Sequence, residues 1–379
     1  MDFNHSEERR MLQDTLHRYL SDNYGAKQRA TSVGHVQGCS DKIWSDFVEL
    51  GVIGVLFAEE HGGFGGGGFD IAVVFEELGR FACVEPLMAS GVMAGRLLSE
   101  LGSEEQKVLV GDVIGGQLKI VPALEEPQSR YDLDAVETTA ERVEGGYRLN
   151  GTKSVVIGGP SADKLIVSAR DAEGLQLFLV DADASGVERY SYPNLDGYHA
   201  SDIALVNAVV PASACLGTSK AVLPALDAAR AAGVVALCAE AVGAMEAAKD
   251  LTAEYLRVRT QFGRALGKFQ ALQHRMSTVL IEIEQARSAL INVAGHLSAE
   301  PSLRDKHVSA AKNLIGRVAQ LVCEETIQLH GGIGMTEEYA LGQHVKRLMM
   351  MDHQLGDVDY HLERFVGAMQ REAAREAMS

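Results

Sequence analysis

A chain of 379 residues is too long for one compact core and implies two or three domains. Apolar residues at 46% and charged residues at 23% are ordinary for a globular protein, and the longest purely apolar run, Ala231 to Ala239, falls far short of a bilayer span. With 35 basic against 52 acidic residues the formal net charge is −17, a field that repels phosphate backbones and argues against a nucleic-acid partner.

The opening MDFNHSEERR has no basic start leading into an apolar stretch, so no secretory signal is expected. Ser6, followed by Glu7 and Glu8, precedes Met11, Leu12, Leu16, Tyr19 and Leu20 at helical spacing, which predicts a helix N-capped by Ser6. The run His61-Gly62-Gly63-Phe64-Gly65-Gly66-Gly67-Gly68 contains G-x-G-x-x-G. That pattern signals dinucleotide binding only between a strand and a helix of a βαβ unit, and the surroundings here are helical. The run reads instead as a flexible loop near a ligand mouth, with Gly65 to Gly68 opening space for a bulky ligand. Ser103 with Gln106 three residues on is a capping-box pattern, and residues 1–117 read as a helical domain.

From 118 to 217 the texture changes to short β-rich runs such as AERVEGGYRLNGTKSVVI and SDIALVNAVVP. They are separated by turn clusters at Glu144-Gly145-Gly146, Asn150-Gly151 and Pro193-Asn194. Close spacing without intervening helices predicts an antiparallel sandwich or barrel. Helical texture then returns over 218–379. An Ala-rich stretch from Val222 is followed by a helix carrying Phe269, Leu272, Met276, Val279, Ile283, Ala286 and Leu290, and by another carrying Val308, Ala311, Ile315, Val318 and Val322. The expected architecture is a four-helix bundle, which makes the whole an α+β protein. Five dispersed cysteines without a C-x-x-C pair read as reduced core thiols of a cytoplasmic protein, and the histidines show no metal-ligand spacing.

Two stretches of this last domain carry chemistry. Between Arg259 and Gln270 lie a cation, an aromatic ring, two glycines and terminal amides. That set suits an anionic, ring-bearing ligand, with Arg259 on a pyrophosphate, Phe262 stacking and glutamine amides hydrogen-bonding. An interhelical loop with Phe262 as a packing plug is the plainer alternative. In QLHGGIGMTEEY, from Gln328 to Tyr339, adjacent glycines would let a phosphate approach the backbone, or they form an ordinary helix-to-helix turn. Met335 to Tyr339 reads as the start of the next helix.

Together the R-x-x-F-G-x-x-[LI]-x-x-[FHL]-Q stretch and the later Q-[LI]-x-G-G-x-G closely resemble the C-terminal bundle of acyl-CoA dehydrogenases. IWSDFVELGVIGVLFAEEHGG, from Ile43 to Gly63, resembles that family's N-terminal domain, and YRLNGTKSVVIGG, from Tyr147 to Gly159, its β domain. The resemblance implies desaturation of an acyl-CoA: a carboxylate removes the α proton and the β hydrogen leaves as hydride to FAD. It also implies a cofactor shared between subunits, with the β domain of one holding the ring and the bundle of its partner holding pyrophosphate and adenosine. The cofactor-binding set it carries over is Arg259, Gln261, Phe262, Gln270, Gln328, Gly331 and Gly332.

The chain departs from the family where chemistry happens. The usual catalytic Glu falls on Leu355, and the position used by other members, after the Arg of R-x-x-F-G, falls on Thr260; neither is a base. The flavin-facing T-E-P-x-x-G-S-D reads Glu125 to Asp132, with Arg130 and Tyr131 replacing Gly-Ser, and the usual Trp-x-Thr reads Val155-Val156-Ile157. The expectation is therefore a chain with no catalytic residue of its own, paired in an α2β2 heterotetramer with a homologous catalytic subunit. LFAEEHGGFGGG and VKRLMMMDHQLGDVDYH resemble the small-subunit type of heteromeric members that act on pimeloyl-CoA, and steroid side-chain dehydrogenases divide labour similarly. An electron-transferring flavoprotein is the implied acceptor, in fatty acid or steroid side-chain β-oxidation. Two alternatives stand beside this: a homomeric enzyme using Asp357 or Glu254 as an unorthodox base, and a flavin-free structural relative. The plainer role of Asp357 is an N-cap for Val358 to Phe365.

Overall fold

A computed structural model describes residues 6–377. In chain order come α1 (Glu7–Asn23), α2 (Ala26–Gly34), α3 (Asp41–Glu49), α4 (Gly68–Arg80), α5 (Gly95–Leu101) and α6 (Glu104–Ile114). The strands follow: β1 (Ile120–Ala123), β2 (Thr139–Val143), β3 (Gly146–Ile157), β4 (Lys164–Asp171), β5 (Gly174–Asp181), β6 (Val187–Pro193), β7 (His199–Pro211) and β8 (Cys215–Leu216). Then come α7 (Ser219–Val258), a hairpin of β9 (Thr260–Gln261) and β10 (Arg264–Ala265), α8 (Gln270–His296), α9 (Pro301–His330), α10 (Leu341–Asp352) and α11 (Val358–Glu376). These fold as two compact units. One comprises residues 6–28, Gly67–Cys83 and 234–377, the other Arg29–Gly66 and Val84–Gly233.

In the second unit Ser103 and Gln106 form the expected capping box at α6, each side chain bonding the other's backbone N–H. The sheet runs β6-β7-β3-β2-β4-β5-β8, with β1 beside β4. Its inward residues, among them Leu149, Val167, Phe178, Ile203 and Leu205, share one core, so the sheet curls around a single interior. It is not wholly antiparallel as expected. β1 and the start of β2 each run parallel to β4, because both enter the sheet from irregular connections and not through a hairpin.

The glycine-rich run packs closely against the turn that precedes it. Gly65 and Gly66 donate their N–H groups to the carbonyls of Phe57 and Val55. A Cβ at Gly63 would lie 2.2 Å from the Phe57 oxygen, and one at Gly65 2.3 Å from the Val55 oxygen. Carbonyls of the preceding 3-10 turn thus crowd Gly63 and Gly65, and only glycine fits at these two positions.

In the first unit α1 starts as read, with the Ser6 hydroxyl accepting from Arg9 N–H and with Leu16 and Leu20 buried. The bundle is made of α8, α9, α11 and the C-terminal part of α7, with short α10 beside α9. α7 is long and apolar enough to span a bilayer, but its residues from Val234 to Ala239 are all buried, so its apolar surface is consumed as core. Gly331–Met335 forms a 3-10 turn, and the next helix starts only at Leu341, not at Met335. Met335, Glu337 and Glu338 are exposed and have nothing to bury, whereas Leu341 is fully buried. All five cysteines are free thiols, and burial pushes Cys238 and Cys323 up to about 12, which leaves them unreactive.

Candidate functional site

Tyr255 brings the two glycine-containing stretches of the bundle together. Its ring stacks on His330 with centroids 4.6 Å apart. Tyr255 lies four residues before Arg259 and His330 immediately before Gly331, so the hairpin and the glycine turn occupy the same end of the bundle. The His330 ring is fixed by its Nδ1, 2.8 Å from the Thr326 carbonyl it donates to. That leaves Nε2 to accept from the Tyr339 hydroxyl at 3.2 Å. Burial lowers the His330 pKa, which favours this neutral form.

The hairpin follows from its sequence. Phe262 and Gly263 have φ of 51° and 78°, the two successive positive values of a two-residue type I′ loop. Gly263 adopts this freely, but Phe262 does so at a cost of order 1 kcal/mol. Its ring is nevertheless 90% exposed. The alternative of a packing plug therefore does not hold within this chain, and a strained, exposed aromatic tip is what a ligand or partner contact uses. Arg259, Gln261, Gln270 and Gln328 are exposed as well. Gly331 and Gly332 are open, with nothing within 4 Å of an added Cβ.

Charge reinforces the assignment. No acidic residue lies between Glu254 and Glu282, while Arg257, Arg259, Arg264, Lys268 and Arg275 all fall inside that interval. Arg257 pairs with Glu254 and Arg275 with Glu325, whereas Arg259 has no ion-pair partner among the described residues. In a chain of net charge −17 this is a local cationic field beside two glycines that leave the backbone open to close approach, a setting suited to an anionic ligand.

The other half does not fit. Val155 occupies a bulge between β3 and β7 at φ 52°, and its side chain offers no flat ring and no hydroxyl. Its N–H donates to Asp202 Oδ1 at 2.9 Å, and the same oxygen accepts from the Tyr192 hydroxyl at 2.8 Å. Arg130 also has positive φ, at 47°, and is exposed, at a position where the resemblance calls for a glycine.

The candidate bases are accounted for. Leu355 is half-buried at φ 57°, in a turn locked from several sides. The buried Lys312 ammonium donates to the carbonyls of Met351 and Gly356 at 3.0 and 2.8 Å. His361 donates to the Leu355 carbonyl at 3.0 Å. Arg347, paired through two 2.7 Å bonds with Glu240 of α7, reaches Gln354. Burial lowers the Lys312 pKa. Asp357 accepts from Tyr360 N–H at 2.8 Å as the N-cap of α11. Glu254 is exposed against Arg257, and Thr260 is exposed on the hairpin. Sequence reasoning missed Lys312, the Glu240–Arg347 pair and the Tyr255–His330 stack, since each joins elements whose pairing no local pattern announces. Tyr255 and His330 did flank the two motifs.

Three family matches cover most of the chain: acyl-CoA dehydrogenase, N-terminal domain over residues 6–110, middle domain over 122–207 and C-terminal domain over 223–369. The chain is 30% identical to the 3-(aryl)acrylate reductase of Clostridium sporogenes, covering 79% of this chain and 82% of that protein. It is also 30% identical to the short-chain-specific acyl-CoA dehydrogenase of Megasphaera elsdenii, over 91% and 94%. Among solved structures it is similar to a variant of the Tcur3481-Tcur3483 steroid ACAD, with 31% identity, a TM-score of 0.87 and coverage of 97% and 99%.

Proposed function

Because this chain belongs to the acyl-CoA dehydrogenase family, we propose that it is the base-lacking, cofactor-clamping subunit of a heteromeric FAD-dependent acyl-CoA dehydrogenase. One observation carries the reading. Both usual base positions are Leu355 and Thr260, and the nearby carboxylates of Asp357 and Glu254 are engaged in a helix cap and an ion pair, while the clamp residues stay exposed. A chain that had lost flavin altogether would have no use for unpaired Arg259 beside open Gly331 and Gly332.

FAD, when bound, supplies the two-electron acceptor for the hydride lost by the acyl chain. This subunit's part is to hold it. Arg259 neutralises pyrophosphate charge, Phe262 presents a ring, the amides of Gln261, Gln270 and Gln328 hydrogen-bond, and Gly331 and Gly332, with no side chain in the way, let a phosphate approach the backbone closely. The homologous partner contributes the carboxylate that takes the α proton and the contacts to the flavin ring, in an α2β2 assembly with an electron-transferring flavoprotein as acceptor. The relation to a steroid ACAD supports including steroid side-chain thioesters beside fatty acyl ones among the substrates. The free thiols suit a cytoplasmic location.

The test is to express the chain alone and with a homologous subunit encoded beside it, then measure flavin absorbance per chain, assembly mass and acyl-CoA turnover. We expect turnover only from the mixed assembly, with one FAD per heterodimer. Turnover by the lone chain with one FAD per subunit sinks the heteromer.

A further inference from the structure

We propose that Arg264, held on the ring of Phe269, is a second cationic contact for the cofactor's pyrophosphate, acting beside Arg259. The inference rests on the clamp reading above and deepens it. In the hairpin Arg264 is paired with Gln261 and Ala265 with Thr260, and Leu266 N–H closes onto the Arg259 carbonyl. Side chains alternate along a strand, so this register puts Arg259, Gln261 and Arg264 on one face of the ribbon and Thr260 on the other. Two arginines flanking an amide thus form one surface.

Arg264 is exposed and has no ion-pair partner among the described residues. Its guanidinium carbon sits 4.0 Å from the centre of the Phe269 ring, against which Phe262 also packs edge-on at 6.2 Å. Stacking by its flat face restrains a guanidinium while leaving its N–H edge available, a geometry that selects planar, bidentate recognition of phosphate oxygens. Phe269 is itself fixed at the start of α8. The plain rival is that Arg264 only stiffens the hairpin.

The experiment strips FAD from whichever assembly retains it, heteromer or lone chain, and titrates it back by flavin fluorescence at several salt concentrations. Variants are R264Q, R264K, F269L and, as reference, R259Q. We expect R264Q to weaken FAD binding about tenfold, the scale of one charge-assisted hydrogen bond, and to flatten its salt dependence. R264K keeps the charge and the salt dependence but loses the planar stack, so it weakens binding a few-fold, as does F269L. Equal weakening by all three Arg264 and Phe269 variants with unchanged salt dependence would mean a stiffening role and overturns the proposal. Wild-type affinity in R264Q with loss in R259Q overturns it while leaving the clamp intact. Wild-type affinity in both, or no FAD binding by either assembly, brings down the clamp reading and Arg264 with it.

Discussion

Lys153 is fully buried on β3, where its ammonium donates to Glu126 at 2.6 Å, to Ser168 at 2.8 Å and to the Leu124 carbonyl at 3.3 Å. Burial alone would raise the Glu126 carboxyl, but the bonds from Lys153, Thr138 and the Glu137 N–H outweigh it and hold the group at about 2. Lys153→Met should therefore destabilise the protein by about 3–5 kcal/mol, since it strands a buried carboxylate. The double variant with Glu126→Gln should recover part of that loss, and chemical denaturation of the four proteins tests the cycle. The neighbouring Glu125 has the opposite character. Burial raises its carboxyl from 4.5 to about 7, with no opposing cation. Between those values the folded state binds more protons than the unfolded one, so this group's contribution falls as pH rises through the window and is lowest above pH 7. Glu125→Gln should then stabilise by about 2 kcal/mol at pH 8 and by nearly nothing at pH 4, measured as thermal midpoints across pH. A gain independent of pH would show that packing, not charge, sets the difference.

The same close fit recurs between helices. An added Cβ at Gly79 of α4 would lie 1.9 Å from the Glu240 carbonyl oxygen of α7, and one at Gly243 of α7 would lie 1.9 Å from the Glu76 carbonyl oxygen. The two helices cross backbone to backbone, each supplying the glycine the other needs. Gly79→Ala and Gly243→Ala should each cost about 3 kcal/mol or more, because the obstacle is main chain and cannot swing aside. The double variant should cost less than the sum, since a crossing already forced apart accommodates the second methyl; calorimetric melting of all three decides it. Helices whose ends carry local signals, such as α1 at Ser6 and α6 at Ser103, were legible in the sequence, and so was the β texture. The crossing was not, because Gly79 and Gly243 look like ordinary helix interruptions until their partners are known. For the same reason the run from Gly62 to Gly68 resembled a loop at a ligand mouth: sequence shows that backbone must approach something closely, but not that the something is the chain's own carbonyls.

At the scale of the molecule, the proposed clamp can be read from the sequence because Arg259, Phe262 and the adjacent glycines are local in it, and Leu355 is found at the family's usual base position by counting from Gly331. What holds the Leu355 turn in shape cannot be read there, since Lys312, Arg347 and His361 converge on it from three helices, with Arg347 anchored on Glu240 of a fourth. That convergence shapes the last prediction. The turn is fixed by main-chain carbonyl contacts and by Gly356, where an added Cβ would lie 2.4 Å from the Tyr360 ring, so a change of the half-buried Leu355 side chain should leave it in place. Leu355→Glu should fold, and its thermal midpoint should stay within a few degrees of the parent. It should still give no measurable acyl-CoA turnover in the lone chain, because in the proposed division of labour the base is one of three parts left to the partner, with Val155 and Arg130 at the positions where the family resemblance calls for a flat face and a bare backbone. Stopped-flow reduction of FAD by a panel of acyl-CoA thioesters measures this directly. If the single carboxylate restores flavin reduction in the lone chain, the β domain is competent after all and the division of labour between two kinds of subunit must be abandoned. If reduction is seen only with the homologous subunit present, at a rate Leu355→Glu leaves unchanged, the chemistry belongs to the partner.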